Sequence, residues 1–146
     1  MSIKISIDDA AIVNKIDRLC KDKETMLLVH NELARYCDPY VPMQSGILAT
    51  AKEVTADGVR YTSPYAHYQY TGIVYGPNIP IMRDGMIVGW FSRPNEPKTP
   101  TDKHIVYSTE MHPLASARWD EAMMRDRGDE FKQQIVDILK YKASKI

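Results

Sequence analysis

Four histidines are the side chains with which this chain could most readily perform acid–base chemistry near neutral pH. They are His30, His67, His104 and His112. Their positions match no metal-ligand spacing, and the chain lacks a Gly-x-x-x-x-Gly-Lys-Ser/Thr loop, a His-Glu-x-x-His helix and a Gly-x-Ser-x-Gly elbow. We therefore predict no catalytic residue, no cofactor and no bound metal. A small hydrolase or transferase that uses His67 or His112 with a nearby carboxylate is the alternative.

We expect the cysteines and the adjacent pairs of carboxylates to have structural roles rather than catalytic ones. Cys20 and Cys37 fall in segments with helical patterns, where a reduced cysteine packs as a small hydrophobic residue. Asp8-Asp9 and Asp129-Glu130 stand at expected helix starts or on solvated faces. These carboxylates are expected to cap helices or to face water.

Tyrosines crowd into one part of the chain. Five of them lie within the fifteen residues 61–75, and tyrosine rings can stack on nucleic-acid bases. Such stacking normally accompanies an electropositive groove, but Arg60 is the only lysine or arginine from Glu53 to Asn78. The whole chain carries nineteen basic and nineteen acidic residues. A protein–protein interface is therefore the stronger interpretation of these tyrosines.

The distribution of proline and glycine divides the chain into three parts. The helices and strands of these parts must position the side chains described above. All nine prolines and six of the seven glycines lie between residues 39 and 113. We predict a single domain over residues 1–146, which is helical in 1–38, has strands and loops in 39–112 and is helical again in 113–146. The predicted fold class is α+β: N- and C-terminal helices pack on a small, mainly antiparallel sheet with a long central hairpin or loop.

Turn dipeptides predict two hairpins in the central part. Asp57-Gly58 and Asp84-Gly85 each separate two runs that favour strands. The strands are expected at residues 50–55 and 59–63 for the first hairpin, and at 79–82 and 86–91 for the second. Three prolines between residues 92 and 103 predict an extended loop, which is followed by a short strand at 105–108.

The pattern of each helical flank is compatible with two alternative structures. The charged stretch at residues 21–24 allows either one long helix or two helices hinged near Asp22. In the last helix, Gly128 indicates either close approach by another element or a break between two shorter helices. No apolar run approaches the ~20 residues that a membrane helix needs, so we expect no membrane partner.

Three segments follow one another in an uncommon order. The first is a proline-bent turn that contains Val41, Pro42, Ser45, Gly46 and Leu48; the second is a tyrosine-rich turn with Tyr65, Ala66 and Gly72; the third opens the last helix with Pro113 and Trp119. We take these residues as the candidate fold-defining positions.

In this order the segments resemble the small neck and tail-completion proteins of tailed bacteriophages and prophages, which are often labelled minor capsid proteins. The resemblance covers roughly residues 10–140. It implies a structural virion protein that forms a homo-oligomeric ring, expected to be a hexamer, in the neck that completes the tail or joins it to the DNA-filled capsid. Its implied partners are other neck, connector and tail-tube proteins, with non-specific DNA in the lumen, after assembly in the host bacterial cytoplasm. A connector that contacts DNA is the alternative.

A ring subunit needs two different faces that meet around an axis. The interface candidates are Tyr68, Tyr70 and Tyr75 in the tyrosine-rich turn and Met82, Met86, Trp90 and Phe91 in the second hairpin. A domain of this size cannot readily bury the hairpin set, so we expect it to meet a neighbouring subunit or the tail.

Overall fold

The computed structural model describes residues 4–7, 10–42, 51–109 and 112–146. In the first part, helices α1 (Ala10–Val13), α2 (Ile16–Lys21) and α3 (Lys23–Cys37) precede a 3₁₀ turn at Asp38–Tyr40. The central part contains strands β1 (Lys52–Thr55) and β2 (Gly58–Tyr61), helix α4 (Ala66–Thr71), and strands β3 (Ile73–Gly76), β4 (Ile79–Arg83), β5 (Met86–Phe91) and β6 (Thr99–His104). Helix α5 (Trp119–Ala143) closes the chain.

Asp22 divides the N-terminal helical segment into two helices. Its backbone is extended, with ψ of 114°, and its carboxylate accepts hydrogen bonds from the Thr25 amide at 3.1 Å and the Thr25 hydroxyl. A carboxylate in this position satisfies one of the unpaired amides at the start of a helix. The stretch is therefore hinged at Asp22 rather than one long helix.

The core lies mainly between α3 and α5, with α1 and α2 packed at its end. Ile12, Leu19 and Met123 are almost completely buried there. Tyr36 and Phe131 join the two long helices through an edge-to-face contact with ring centroids 5.4 Å apart. Cys37 is buried in this core as expected, whereas Cys20 is exposed, so the prediction that both thiols pack as hydrophobic residues was wrong for Cys20.

Helix α5 is interrupted next to Gly128. Arg127 has non-helical angles, with φ of −132° and ψ of 19°, within the helix. A Cβ atom built on Gly128 would lie nearest to Met124 of the same helix rather than to another element. Of the two alternatives, the glycine therefore marks a break in the helix.

The strands form separate antiparallel pairs, which confirms the α+β class. Within the described ranges, β1 pairs with β2, β4 with β5 and β3 with β6, and these are three two-stranded sheets rather than one. Both predicted hairpins are present. The loop prediction was wrong, because residues 99–104 form β6 and residues 105–108 are not a strand.

Pro100 is compatible with strand β6 because the strand lies at an edge. A proline cannot donate a backbone hydrogen bond, but at an edge that position can face solvent. The Thr101 hydroxyl donates to the Val74 carbonyl, and the Ile105 amide donates to the Gly72 carbonyl at 2.8 Å. These contacts hold the segment against β3.

Trp119 joins the first hairpin, α4 and α5. Its ring makes edge-to-face contacts with Tyr61 and Tyr70, at centroid distances of 5.1 and 5.0 Å. The Tyr70 hydroxyl donates to an Asp120 carboxylate oxygen at 2.9 Å, and the Arg118 amide donates to the Tyr70 carbonyl at 2.8 Å. Arg118 is left-handed, with φ of 47°, so the chain turns sharply as it enters α5. We call Tyr61, Tyr70 and Trp119 the aromatic joint.

Gly72 ends α4 in a left-handed conformation and allows close packing against the segment before α5. Its φ is 72°, and a Cβ atom at this position would lie 2.8 Å from the Ala117 Cβ and 3.0 Å from the Tyr107 hydroxyl. Gly85 has a similar φ of 78°, but a Cβ atom added there would meet no other atom within 4 Å. The two glycines thus differ in crowding and not in backbone conformation.

Replacing Gly72 with alanine should destabilise the protein more than the same change at Gly85. Both variants incur ~1–2 kcal/mol of left-handed strain, and Gly72→Ala adds ~1–3 kcal/mol of overpacking against Ala117. Urea denaturation of the two variants measures the difference. Equal losses of unfolding free energy in the two variants would show that the structure accommodates the added methyl group beside Ala117 without a free-energy cost.

Replacing Tyr70 with phenylalanine should reduce the free energy of unfolding by ~1 kcal/mol, because Asp120 loses a hydrogen bond at the aromatic joint. Tyr141→Phe is the matched control, since its ring is exposed and water can replace the contacts of its hydroxyl. Thermal denaturation of both variants provides the measurement. No loss for Tyr70→Phe would contradict a structural role for its hydroxyl.

Candidate protein-interaction surface

The β4–β5 hairpin presents apolar side chains to solvent. Met86 is 70% exposed, Trp90 61%, Met82 56% and Phe91 47%. Ile81, Ile87 and Val88 are exposed as well. All four hairpin residues that the sequence proposed as interface candidates are therefore available at the surface.

Local sequence explains why the hairpin forms without support from a core. Asp84 and Gly85 both have positive φ, 53° and 78°, which is the conformation that a two-residue turn between antiparallel strands requires. The flanking strands are rich in residues that favour extended backbone. An irregularity between Ile81 and Met82 shifts the pairing of β4 with β5 by one residue.

Both faces of the hairpin are apolar. Ile79 pairs with Phe91 and Ile81 with Gly89, and residues paired in this way share one face of the ladder. Pro80 pairs with Trp90 and Met82 with Ile87 on the other face. A hairpin that lies on its own core normally has one polar face, and the β4–β5 hairpin lacks such a face.

The exposed apolar area is large for a protein of this size. Seven large apolar side chains are exposed between Ile81 and Phe91. If each shows about half of ~200 Å², together they expose roughly 700 Å². The largest apolar patch of a typical monomer covers ~300–600 Å², and one side of a standard protein–protein interface buries ~800 Å². Because these side chains are divided between the two faces of the hairpin, each face exposes only part of this area.

Little of the described chain supports the hairpin. Apart from marginal contacts, no other described element packs against β4 or β5. A groove of about 630 Å³ lies between Trp90 and residues of β3 and β6, including Val74 and Thr101. An isolated two-stranded hairpin is only marginally stable in water, so a partner would stabilise this one.

The tyrosine-rich turn has an outer and an inner side. On the outer side, Tyr68 and Tyr75 pack edge to face with centroids 4.9 Å apart, and His67 contacts both rings. Tyr68 is exposed and Tyr75 is partly buried, so these two interface candidates border the surface. Tyr70 instead turns inward to Trp119 and Asp120, which places this candidate mainly within the fold.

The candidate fold-defining positions occupy different environments. Val41, Pro42, Gly72 and Trp119 are buried, and Ala66 is partly buried. Tyr65 is 68% exposed and precedes α4, and Pro113 is also exposed. Ser45, Gly46 and Leu48 lie outside the described residues.

A cavity lies beside the aromatic joint. It has a volume of about 350 Å³ and is bounded by α3, β2, α4 and the start of α5. Leu33, Val59 and Ala66 contribute apolar walls. The Tyr61 hydroxyl is buried and has no hydrogen-bond partner among the described residues, and burial raises the pKa of Tyr61. No motif predicted this cavity, because its walls come from four separate stretches of the chain.

The titratable groups around the cavity do not form an activated nucleophile in the described part of the chain. Burial raises the pKa of the Cys37 thiol to about 12, so little reactive thiolate exists near neutral pH. His67 packs against tyrosine rings and shows no hydrogen bond to a carboxylate within the described ranges. Elsewhere, His112 Nδ1 lies 2.7 Å from the Val41 carbonyl oxygen.

Other ligand classes find little support in the residues that the structure describes. No group of three or more His, Cys, Asp or Glu side chains is arranged to hold a metal ion among them. Within the same residues, no helix has both the length and the apolar character needed to cross a membrane.

Comparison with known proteins gives one result. The sequence profile of a family described as minor capsid protein matches residues 3–138, which is nearly the whole chain. No curated protein and no solved structure matches the chain. The match includes the aromatic joint, the hairpin and most of the last helix. The chain therefore belongs to the minor capsid protein family and is a structural component of the bacteriophage virion.

Proposed function

We propose that the protein is a subunit of a ring in the head–tail connector or neck, where it completes the tail or joins it to the DNA-filled capsid. The observation that carries this proposal is the β4–β5 hairpin, which is apolar on both faces and exposed. A minor capsid protein works by contact with other virion proteins. An exposed apolar ribbon gives it the means to make such a contact.

A ring is favoured over a two-fold dimer because the protein offers unlike surfaces. The hairpin is a projecting apolar ribbon, whereas the outer tyrosine-rich turn is a compact aromatic patch around Tyr68 and Tyr75. Unlike surfaces form head-to-tail contacts, which close into a ring when the rotation between copies allows it. We propose six copies, as the resemblance to neck proteins implies.

The partners proposed above and below the ring are other neck, connector and tail-tube proteins. DNA that passes through the lumen would meet a chain of zero formal net charge, so any contact would be weak and non-specific. We propose no cofactor and no catalytic activity. The high pKa of the Cys37 thiol and the packing of His67 against tyrosines support that part of the proposal.

Replacing both Trp90 and Phe91 with serine should reduce incorporation of the protein into phage particles by about tenfold or more, because aromatic residues at an interface centre often contribute ~2 kcal/mol each. The isolated subunit should keep its stability within ~0.5 kcal/mol, since Trp90 is 61% and Phe91 47% exposed and the described core does not pack on this hairpin. Quantitative mass spectrometry of purified particles measures incorporation, and thermal denaturation measures stability.

The matched control replaces Val13 and Leu28 with serine. These residues are 50% and 39% exposed on the helical part of the protein, away from the hairpin. This control should leave incorporation unchanged. If the hairpin variant is incorporated normally, the hairpin is not the contact surface; if it unfolds, Trp90 and Phe91 belong to the subunit's own core.

A further inference from the structure

Two short connections join the β4–β5 hairpin to the rest of the described chain. Residues 77–78 link β3 to β4, and residues 92–98 link β5 to β6. Both connections leave the same end of the β3–β6 ladder, because Gly76 pairs with Thr99 there. Apart from marginal contacts, no other described element packs against β4 or β5. The direction of the hairpin therefore depends on the contacts that fix these two connections.

Asn78 bridges the two connections. Its side-chain amide donates a hydrogen bond to the Tyr75 carbonyl at 2.7 Å, and its side-chain oxygen accepts one from the Lys98 ammonium group at 2.7 Å. A carbonyl can only accept and an ammonium group can only donate, so a single orientation of the Asn78 amide satisfies both partners. Asn78 directly precedes β4 and Lys98 directly precedes β6. The bridge thus ties the base of the hairpin to the end of the β3–β6 ladder.

The hairpin has room to turn about its base. The groove of about 630 Å³ separates Trp90 from Val74 and Thr101 of the β3–β6 ladder. Trp90 borders this groove and is still 61% exposed. Burial of apolar surface is favourable, so closure of the hairpin onto the ladder would be favoured if the base were free. Among the described residues, the hydrogen bonds of Asn78 are side-chain contacts at the base that oppose such a movement.

We infer that Asn78 and Lys98 are positioning residues that fix the direction in which the β4–β5 hairpin leaves the subunit. This inference deepens the proposed function, on which the purpose of the positioning rests, because the hairpin is the surface proposed to contact another virion protein. A contact surface that is held in one direction loses less conformational freedom when its partner binds. The bridge therefore prepares the hairpin for that contact before assembly.

Distances between two spin labels on the purified full chain test this role. Cys20 is exposed and provides an attachment site on α2, whereas Cys37 is buried and its high pKa keeps the thiol unreactive. A cysteine that replaces Met86, which is 70% exposed, carries the second label near the tip of the hairpin. Double electron–electron resonance then measures the distances between the hairpin and the helical part. We expect one narrow distribution when the bridge is intact.

Three further substitutions in the labelled chain change or preserve the bridge. Asn78→Ala removes both hydrogen bonds and should increase the population of displaced distances at least about fivefold, the change equivalent to ~1 kcal/mol. Lys98→Met removes one of the two bonds and should cause a smaller increase. The matched control is Lys103→Met. Lys103 borders the same groove, but its ammonium group has no hydrogen bond to a described residue, so the distribution should stay narrow.

The outcomes separate this inference from the proposed function. An unchanged distribution in Asn78→Ala, or an equal broadening in Lys103→Met, would overturn the positioning role. If thermal denaturation shows that Asn78→Ala does not fold, an unchanged distribution in Lys98→Met overturns it instead, because Lys98 is exposed and its loss leaves the fold intact. The proposed ring is tested separately by particle images. Absence of the chain from the neck would contradict the ring without changing the distances measured in the purified chain.

Discussion

The packing of Trp119 against Tyr61 and Tyr70 is the contact on which the arrangement of this protein depends. It connects the first hairpin, helix α4 and the start of α5, and the left-handed Arg118 turns the chain into this position. Edge-to-face aromatic pairs contribute ~0.5–1.5 kcal/mol beyond their buried area. The three rings of this contact also line the neighbouring cavity.

The second constraint is the division of the large apolar residues between the helical core and the exposed β4–β5 hairpin. The core takes its largest side chains from the helices, where Ile12, Leu19 and Met123 are almost fully buried. The β4–β5 hairpin carries comparable side chains but lies outside that core. In a minor capsid protein, which acts within an assembly, such a surface need not be a liability, because a neighbouring protein can cover it.

Local patterns in the sequence were sufficient to predict much of the fold. Asp57-Gly58 and Asp84-Gly85 located both hairpins. In the second hairpin, Asp84 and Gly85 have the positive φ angles that few other residues tolerate, whereas in the first hairpin Gly58 is already the first residue of β2. The exposure of Trp90 followed from the small size of the domain. Strand β6 was missed, because the prolines near it suggested a loop and only its pairing with β3 shows that an edge strand tolerates Pro100. The inward position of Tyr70 and the cavity beside it depend on long-range packing that no local pattern encodes.

A cryo-electron microscopy reconstruction of the native phage neck is the most direct measurement of the proposed role, because it shows which protein covers residues 79–91. We predict a closed ring of this chain at the junction between head and tail. In that ring, the β4–β5 hairpin should be buried against an adjacent subunit on both of its apolar faces. A reconstruction that places the chain elsewhere in the virion, or that leaves the hairpin surrounded by solvent, would contradict the proposed role.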